Sequence, residues 1–301
     1  MGDDDELRIG EHPKLERPVL ICSFRGWNDG GQGASLAGAY LARAWRTERF
    51  AEIDPEGFFD FQMSRPQVSL ENGERRIDWP ENSFHYARLS QARPPARRDA
   101  VLLLGTEPGL RWKTFTALVS GLAVDLDTSL VVTLGSLLAD VPHTRPAPVT
   151  ASATDPALLE ELGLQPSRYE GPTGVVGVLH DACRAANIPS VSLWAAVPHY
   201  VQLTPSPRAA KALCDRLAAL LEVPLDTSEL EEASRAYVQQ VSEAVATDED
   251  TAAYVDELES RSEELEEGEL PSGETLAAEL TRFLREREED ENGKPPAAGD
   301  G

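Results

Sequence analysis

The chain has 301 residues and a formal net charge of −24, with 28 Lys and Arg against 52 Asp and Glu. That length fits one large α/β domain with an appendage, and no apolar run approaches the roughly 18 residues a membrane helix requires. Residues 226–301 hold 24 of the acidic residues against 6 basic ones; such a charge repels phosphate backbones and anionic lipid, so neither nucleic acid nor a membrane is an expected partner.

The opening Met1-Gly2-Asp3-Asp4-Asp5-Glu6 lacks the basic-then-apolar order of a signal peptide, and residues 1–14 read as a flexible acidic start. A short apolar run, Val19 to Phe24, stops at Gly26-Trp27-Asn28-Asp29-Gly30-Gly31, and an Ala- and Leu-rich helical pattern runs from Gly33 to about Arg46. This is the pattern of a buried parallel strand, a glycine-rich turn and a helix N-terminus, the place where open α/β folds hold ligands and anions. Gly57 to Gln62 reads as a short strand. Gln67–Leu70 and Arg75–Trp79 flank Glu71-Asn72-Gly73-Glu74, and Asn-Gly between such runs predicts a hairpin. Ser83 to Leu89 gives another strand.

Asp99 to Gly105 reads as a continuous apolar run, as expected of a strand covered on both faces; Thr106-Glu107-Pro108-Gly109 ends it, and a helix follows from about Arg111 to Ala123. Ser129 to Gly135 repeats the strand pattern before a loop from Leu138 to Pro148. Asp155-Pro156 fits a helix start, with that short helix ending near Gly163. Gly171-Pro172-Thr173-Gly174 opens a helix to Asn187, Ser190 to Val197 is a further strand, and Arg208 to Leu221 a further helix. The alternation predicts a three-layer α/β/α sandwich over residues 15–225 with an inserted β-hairpin. Residues 226–290 read as an acidic helical extension, with segments near Leu230–Val245, Thr251–Glu266 and Glu274–Arg287, and 291–301 as a disordered tail. Cys22, Cys183 and Cys214 show no C-x-x-C pair and read as small core residues in a reducing cytoplasm.

Polar and aromatic residues gather in the loops after the apolar strands. Trp27, Asn28, Asp29 and Gly30 follow the first; Glu107 and Trp112 follow the Val101 strand; Asp140, His143 and Arg145 follow the Val131 strand; His199 and Tyr200 follow the Val191 strand. In a parallel sheet these loops share the carboxyl edge, where Gly174 also opens a helix, so the side chains converge on one crevice. Two readings stand together. Asp29, Glu107 and Asp140 can serve as acid or base, His143 and His199 as proton carriers and Arg145 as an anion holder, which suits an enzyme or binder of nucleoside or phosphate type. Alternatively Asp29 caps the next helix, Glu107-Pro108 is a plain strand-to-helix corner, and Trp27 and Trp112 seal the sheet. The sequence holds no Walker lysine, no G-x-S-x-G, no H-E-x-x-H and no G-x-G-x-x-G with its ribose carboxylate; no catalytic residue, metal or cofactor is assigned.

Five strings carry a resemblance: Gly26-Trp27-Asn28-Asp29-Gly30-Gly31; Leu104-Gly105-Thr106-Glu107-Pro108 with Trp112; Gly135 to Pro146; Gly171-Pro172-Thr173-Gly174; and Trp194 to Tyr200. Together, over roughly residues 15–222, they resemble the proteasome assembly chaperone 2 family, in particular its actinobacterial branch. The resemblance implies a phosphorylase/hydrolase-like α/β/α sandwich that associates with itself, a trimer favoured. It implies proteasome subunits as partners and a cytoplasmic, non-catalytic chaperone role. Archaeal relatives bind core particles through a C-terminal hydrophobic-Tyr-any residue motif, which is not found in Pro295 to Gly301.

Overall fold

The computed structural model describes residues 6–89, 98–153, 159–160 and 171–267. Ten strands are seen among them: β1 (Leu7–Ile9), β2 (Val19–Arg25), β3 (Glu48–Ile53), β4 (Gln67–Glu71), β5 (Glu74–Asp78), β6 (Asn82–Ala87), β7 (Ala100–Thr106), β8 (Leu130–Ala139), β9 (Val149–Ala153) and β10 (Ser190–Pro198). The helices are α1 (Gly33–Ala44), α2 (Trp112–Asp125), α3 (Val175–Ala185), α4 (Pro207–Leu221), α5 (Ser228–Val245) and α6 (Glu249–Glu267).

Eight strands form one mixed sheet in the order β1-β3-β6-β7-β2-β8-β10-β9, with helices on both faces. The middle four, β7, β2, β8 and β10, run parallel. Their sequences are mostly apolar because both faces are covered. Alternation along β2 shows this: Val19 and Ile21 pack with Ala34, Ala37 and Leu41 of α1 and with Leu213 and Leu217 of α4. Leu20, Cys22 and Phe24 face the other way, toward Phe115 and Val119 of α2 and Leu179 of α3. All three cysteines are free and buried, as small core residues would be.

The differences from the sequence reading lie at the sheet margins. Residues 57–62 are not a strand. Asp54 accepts the Glu56 N–H (2.9 Å) and caps a 3-10 turn at Pro55–Gly57, which drops Phe58 and Phe59 into the core. The strand of this region is β3, one position of which, Phe50, packs edge-on to Tyr86. Residues 7–9 are not a loose start: β1 pairs antiparallel with β3, and the Gly10 N–H donates to the Phe50 carbonyl at 2.8 Å. The expected loop from Leu138 is shorter, since β8 runs on to Ala139 and β9 adds an antiparallel edge to β10. Hairpin β4–β5 forms at Asn72-Gly73 as its own two-stranded sheet. Of the expected helix at 155–163 only Leu159 and Glu160 are described, as helical. The segment Glu274–Arg287 and the tail 291–301 lie outside the described residues.

One polar cluster sits between α3 and the sheet. His180 Nδ1 lies 2.7 Å from Ser190 Oγ and its Nε2 3.1 Å from Thr133 Oγ1. Burial lowers its pKa to about 4, so the ring is neutral in the fold, whereas the unfolded chain binds a proton near pH 6.5. Stability therefore falls as pH drops from 6.5 toward 4, by an amount on the order of 2 kcal/mol. In urea unfolding at pH 7.5 and pH 5, His180→Gln should flatten this part of the pH dependence; an unchanged slope would show that the ring is solvated.

Candidate functional site

Parallel pairing of β7, β2, β8 and β10 brings the four loops named from the sequence to one sheet edge. The structure divides that edge into two halves with different occupants.

The first half lies at the ends of β2 and β7. Glu107 is its centre. Its backbone N–H donates to the Arg25 carbonyl at 2.8 Å. Its Oε2 accepts from the Trp27 N–H (3.1 Å), and its Oε1 accepts from Asn28 Nδ2 (3.0 Å) and the Val175 N–H (2.9 Å). Val175 is the first residue of α3, so Glu107 caps that helix from a different loop and sits at the positive end of its dipole. Gly174 has no space for a side chain: a Cβ would stand 2.8 Å from both Asn28 Oδ1 and Glu107 Oε1. Gly26 has φ +131°, in the region only glycine enters at little cost.

Asp29 serves α1 in the same way. Its Oδ1 accepts from the Ala34 and Ser35 N–H groups (2.9 and 3.0 Å), while the Ser136 N–H on β8 donates to the Asn28 carbonyl at 2.9 Å. Gly30 lies against the backbone of Leu137 and Leu138. Asn28 Oδ1 and Asp29 Oδ2 accept no hydrogen bond from any described group. Trp112 starts α2, its indole N–H donating to the Pro108 carbonyl, and packs against the core on the α2 and α3 side of the sheet. Trp27 stands exposed.

The second half, at the ends of β8 and β10, is covered by α5 and α6. His143 is buried: its Nδ1 lies 2.8 Å from the Tyr200 hydroxyl and its Nε2 2.9 Å from Ser242 Oγ of α5. Burial, with Arg208 nearby, holds this imidazole below its ordinary pKa. Tyr254 of α6 meets the rings of His199 and Tyr200 with centroids 5.6 and 6.0 Å apart. Burial pushes its phenol up to about 12, with the Asp140 carboxylate contributing. His199 Nδ1 is 3.1 Å from Asp140 Oδ1. Arg145 donates to Glu263 of α6 at 2.7 Å, and Thr144 to Glu259.

Val255 and Leu258 of α6 and Leu230, Tyr237 and Val241 of α5 form the buried stripe. Tyr237 donates to the Leu203 carbonyl at 3.2 Å. The extension therefore packs on the body of its own chain. Sequence reasoning named His143, Arg145, Asp140 and Tyr200 but not Ser242 or Tyr254. Nothing local in the sequence pairs Ser242 with residue 143.

Among the described residues no group of His, Cys, Asp and Glu forms a metal cage. An open cleft of about 840 Å³ lies elsewhere, at the β1–β3 edge between Arg8–Lys14 and Tyr86. No helix among the described residues is long and apolar enough to cross a membrane.

The sequence profile of the PAC2 family matches residues 23–245, most of the chain. The chain belongs to the PAC2 family. A crystal structure of a PAC2 family protein from Streptomyces avermitilis is 45% identical, with 79% of this chain and 99% of that chain covered and a TM-score of 0.73. A proteasome-assembly chaperone homologue from Mycobacterium tuberculosis is 41% identical over 79% of this chain and 99% of its own, TM-score 0.70. An archaeal proteasome activator from Pyrococcus furiosus, 18% identical over 79% and 97%, shares the fold at a TM-score of 0.63. No curated protein matches the chain. The PAC2 match runs past residue 225 to the end of α5, so the first helix of the extension falls inside the family region.

Two outcomes check this geometry. Glu107→Ala removes three accepted hydrogen bonds and should cost about 2–4 kcal/mol in urea unfolding, with Glu107→Gln in between; Asp29→Ala should cost about 1–2 kcal/mol. Wild-type stability in both alanine variants would refute the capping roles. Tyr254→Ala strips the ring contacts of α6 and should raise amide exchange there at least about tenfold while leaving β2 and β8 protected. Equal acceleration throughout would mean that α6 folds only with the sheet.

Proposed function

We propose that this chain is a self-associating, non-catalytic protein of the proteasome-assembly-chaperone type that binds protein subunits in the cytoplasm. The observation that carries this reading is its 41% identity, across nearly the whole of that chain, to a proteasome-assembly chaperone homologue. The geometry of the edge supports it. Two carboxylates of the candidate crevice, Asp29 and Glu107, are engaged by backbone N–H groups, and His143 is packed beneath α5. Groups held in this way shape a surface and are poorly placed to exchange protons with a substrate.

In this reading the partners are further copies of the chain, in a trimer, and proteasome α-subunits. Size-exclusion chromatography and native mass spectrometry of the full chain with purified proteasome α-subunits, and separately with assembled core particles, test it. A stable complex with α-subunits is expected. No complex with either would remove the proteasome role.

A further inference from the structure

Both carboxylates on the open half of the edge, Asp29 and Glu107, stand at helix N-termini. Asp29 Oδ1 holds N–H groups in the first turn of α1, and Glu107 Oε1 holds that of Val175 in α3. The places where an open α/β sheet would hold a phosphate are thus filled from within the chain. Each helix start offers about half a positive charge, against a full negative one on each carboxylate, so about one negative charge is left over. Among the described residues neither carboxylate has an ion pair; Arg111, just before α2, is taken by Glu6. Arg25, which closes β2, alternates onto the α1 face with Val19 and Ile21, whereas Glu107 serves α3 on the opposite face.

Two acceptors here lack a donor. Asn28 and Asp29 are 1% and 7% exposed, yet Asn28 Oδ1 and Asp29 Oδ2 accept no hydrogen bond from any described group, an arrangement that buried acceptors rarely keep. Asn28 Oδ1 faces the same side of Gly174 as Glu107 Oε1, since a Cβ built there would stand 2.8 Å from both. At the mouth, Glu107 Oε2 accepts, among the described groups, only the Trp27 N–H, in a bond of 3.1 Å at the surface. That oxygen keeps lone pairs for another donor. Trp27 beside it is 52% exposed. An indole next to a carboxylate suits an ammonium or guanidinium, which takes the ring face and the oxygens together. The ring face favours an organic cation over a metal ion, for which no group of His, Cys, Asp and Glu is arranged among the described residues.

We propose that this open half of the edge binds an organic cation, a primary ammonium or guanidinium group seated on Trp27 and the Glu107 carboxylate. Asn28 Oδ1 and Asp29 Oδ2 lie behind it as fixed negative atoms with no donor of their own. The same atoms turn away phosphates and nucleotides, whose charge would meet carboxylates already seated at both helix N-termini. A free amine and the Lys or Arg side chain of a protein present the same recognised atoms. The site binds without chemistry, and it stands whether or not α-subunits bind.

NMR titration of the full chain tests it, following the Trp27 indole N–H and the amide signals of Asn28 and Val175. At about 0.15 M salt the Debye length is about 8 Å, which screens the acidic extension. The probes are agmatine as the free cation, a blocked Gly-Arg-Gly peptide as the protein side chain, and inorganic phosphate and AMP as anions. At least one cation should move these signals saturably while phosphate and AMP do not, and the tighter cation names the source. Trp27→Ala should weaken it about two- to fivefold, read from Asn28 and Val175. Glu107→Gln, which keeps an acceptor and loses the charge, should weaken it about tenfold. Trp27 is exposed, so its variant should keep the fold and decides the matter if Glu107→Gln does not fold. Signals unmoved by either cation, moved equally in Trp27→Ala and wild type, or moved as strongly by phosphate overturn the site and leave the α-subunit test untouched.

Discussion

A single carboxylate at the end of β7 sets the geometry of the sheet edge. Glu107 receives N–H groups from the β2 turn and from the first turn of α3, and amide protons from Asn28. Backbone donors at a helix start have no partner within the helix, and once shielded from water they need one from elsewhere. Because one residue serves two segments far apart in sequence, the turn, the strand end and the helix hold each other in place. The close approach is possible because Gly26 and Gly174 bring no side chain. Asp29 repeats the device for α1 on the β8 side.

This constraint gives two carboxylates of the candidate crevice bracing contacts, since Asp29 and Glu107 each hold backbone N–H groups. A carboxylate holding two backbone donors is fixed in place. On the other half of the edge the polar groups are capped by the chain itself. The exposed pairs there, such as Arg145–Glu263, are worth little individually. The apolar stripe of α5 and α6, the Tyr200–His199–Tyr254 rings and the buried His143 hold the extension down. The described carboxylates of the extension lie mostly at exposed positions, while α5 and α6 leave the β2 and β7 half of the edge uncovered.

The central strands were legible because burial on both faces forces unbroken apolar runs, as in Val19–Phe24 and Ala100–Leu104. The hairpin was legible from Asn72-Gly73, both at positive φ. The margins were not. Leu7–Ile9 is too short and mixed to signal a strand, and β9, Val-Thr-Ala-Ser-Ala, has a weak pattern because edge strands are half covered. The aromatics at Phe58 and Phe59 mimic a strand but fill the core from a turn set by Asp54-Pro55. Within the site, Asp29 as a helix cap followed from its place before α1. The cap that Glu107 gives to α3, 68 residues away, did not.

The amino-acid sequence alone determined the local events: which runs are buried, where turns and caps fall, where the charge lies, and the five strings that resemble one family. These depend on neighbours within a few residues, and periodicity and turn chemistry report them directly. Tertiary structure decided what each polar residue touches. Glu107 meets Val175, His143 meets Ser242 and Arg145 meets Glu263 only because parallel pairing and helix packing bring distant segments to one edge. No local pattern encodes those distances, and they decide which polar groups of the edge brace its loops and which lie beneath the extension.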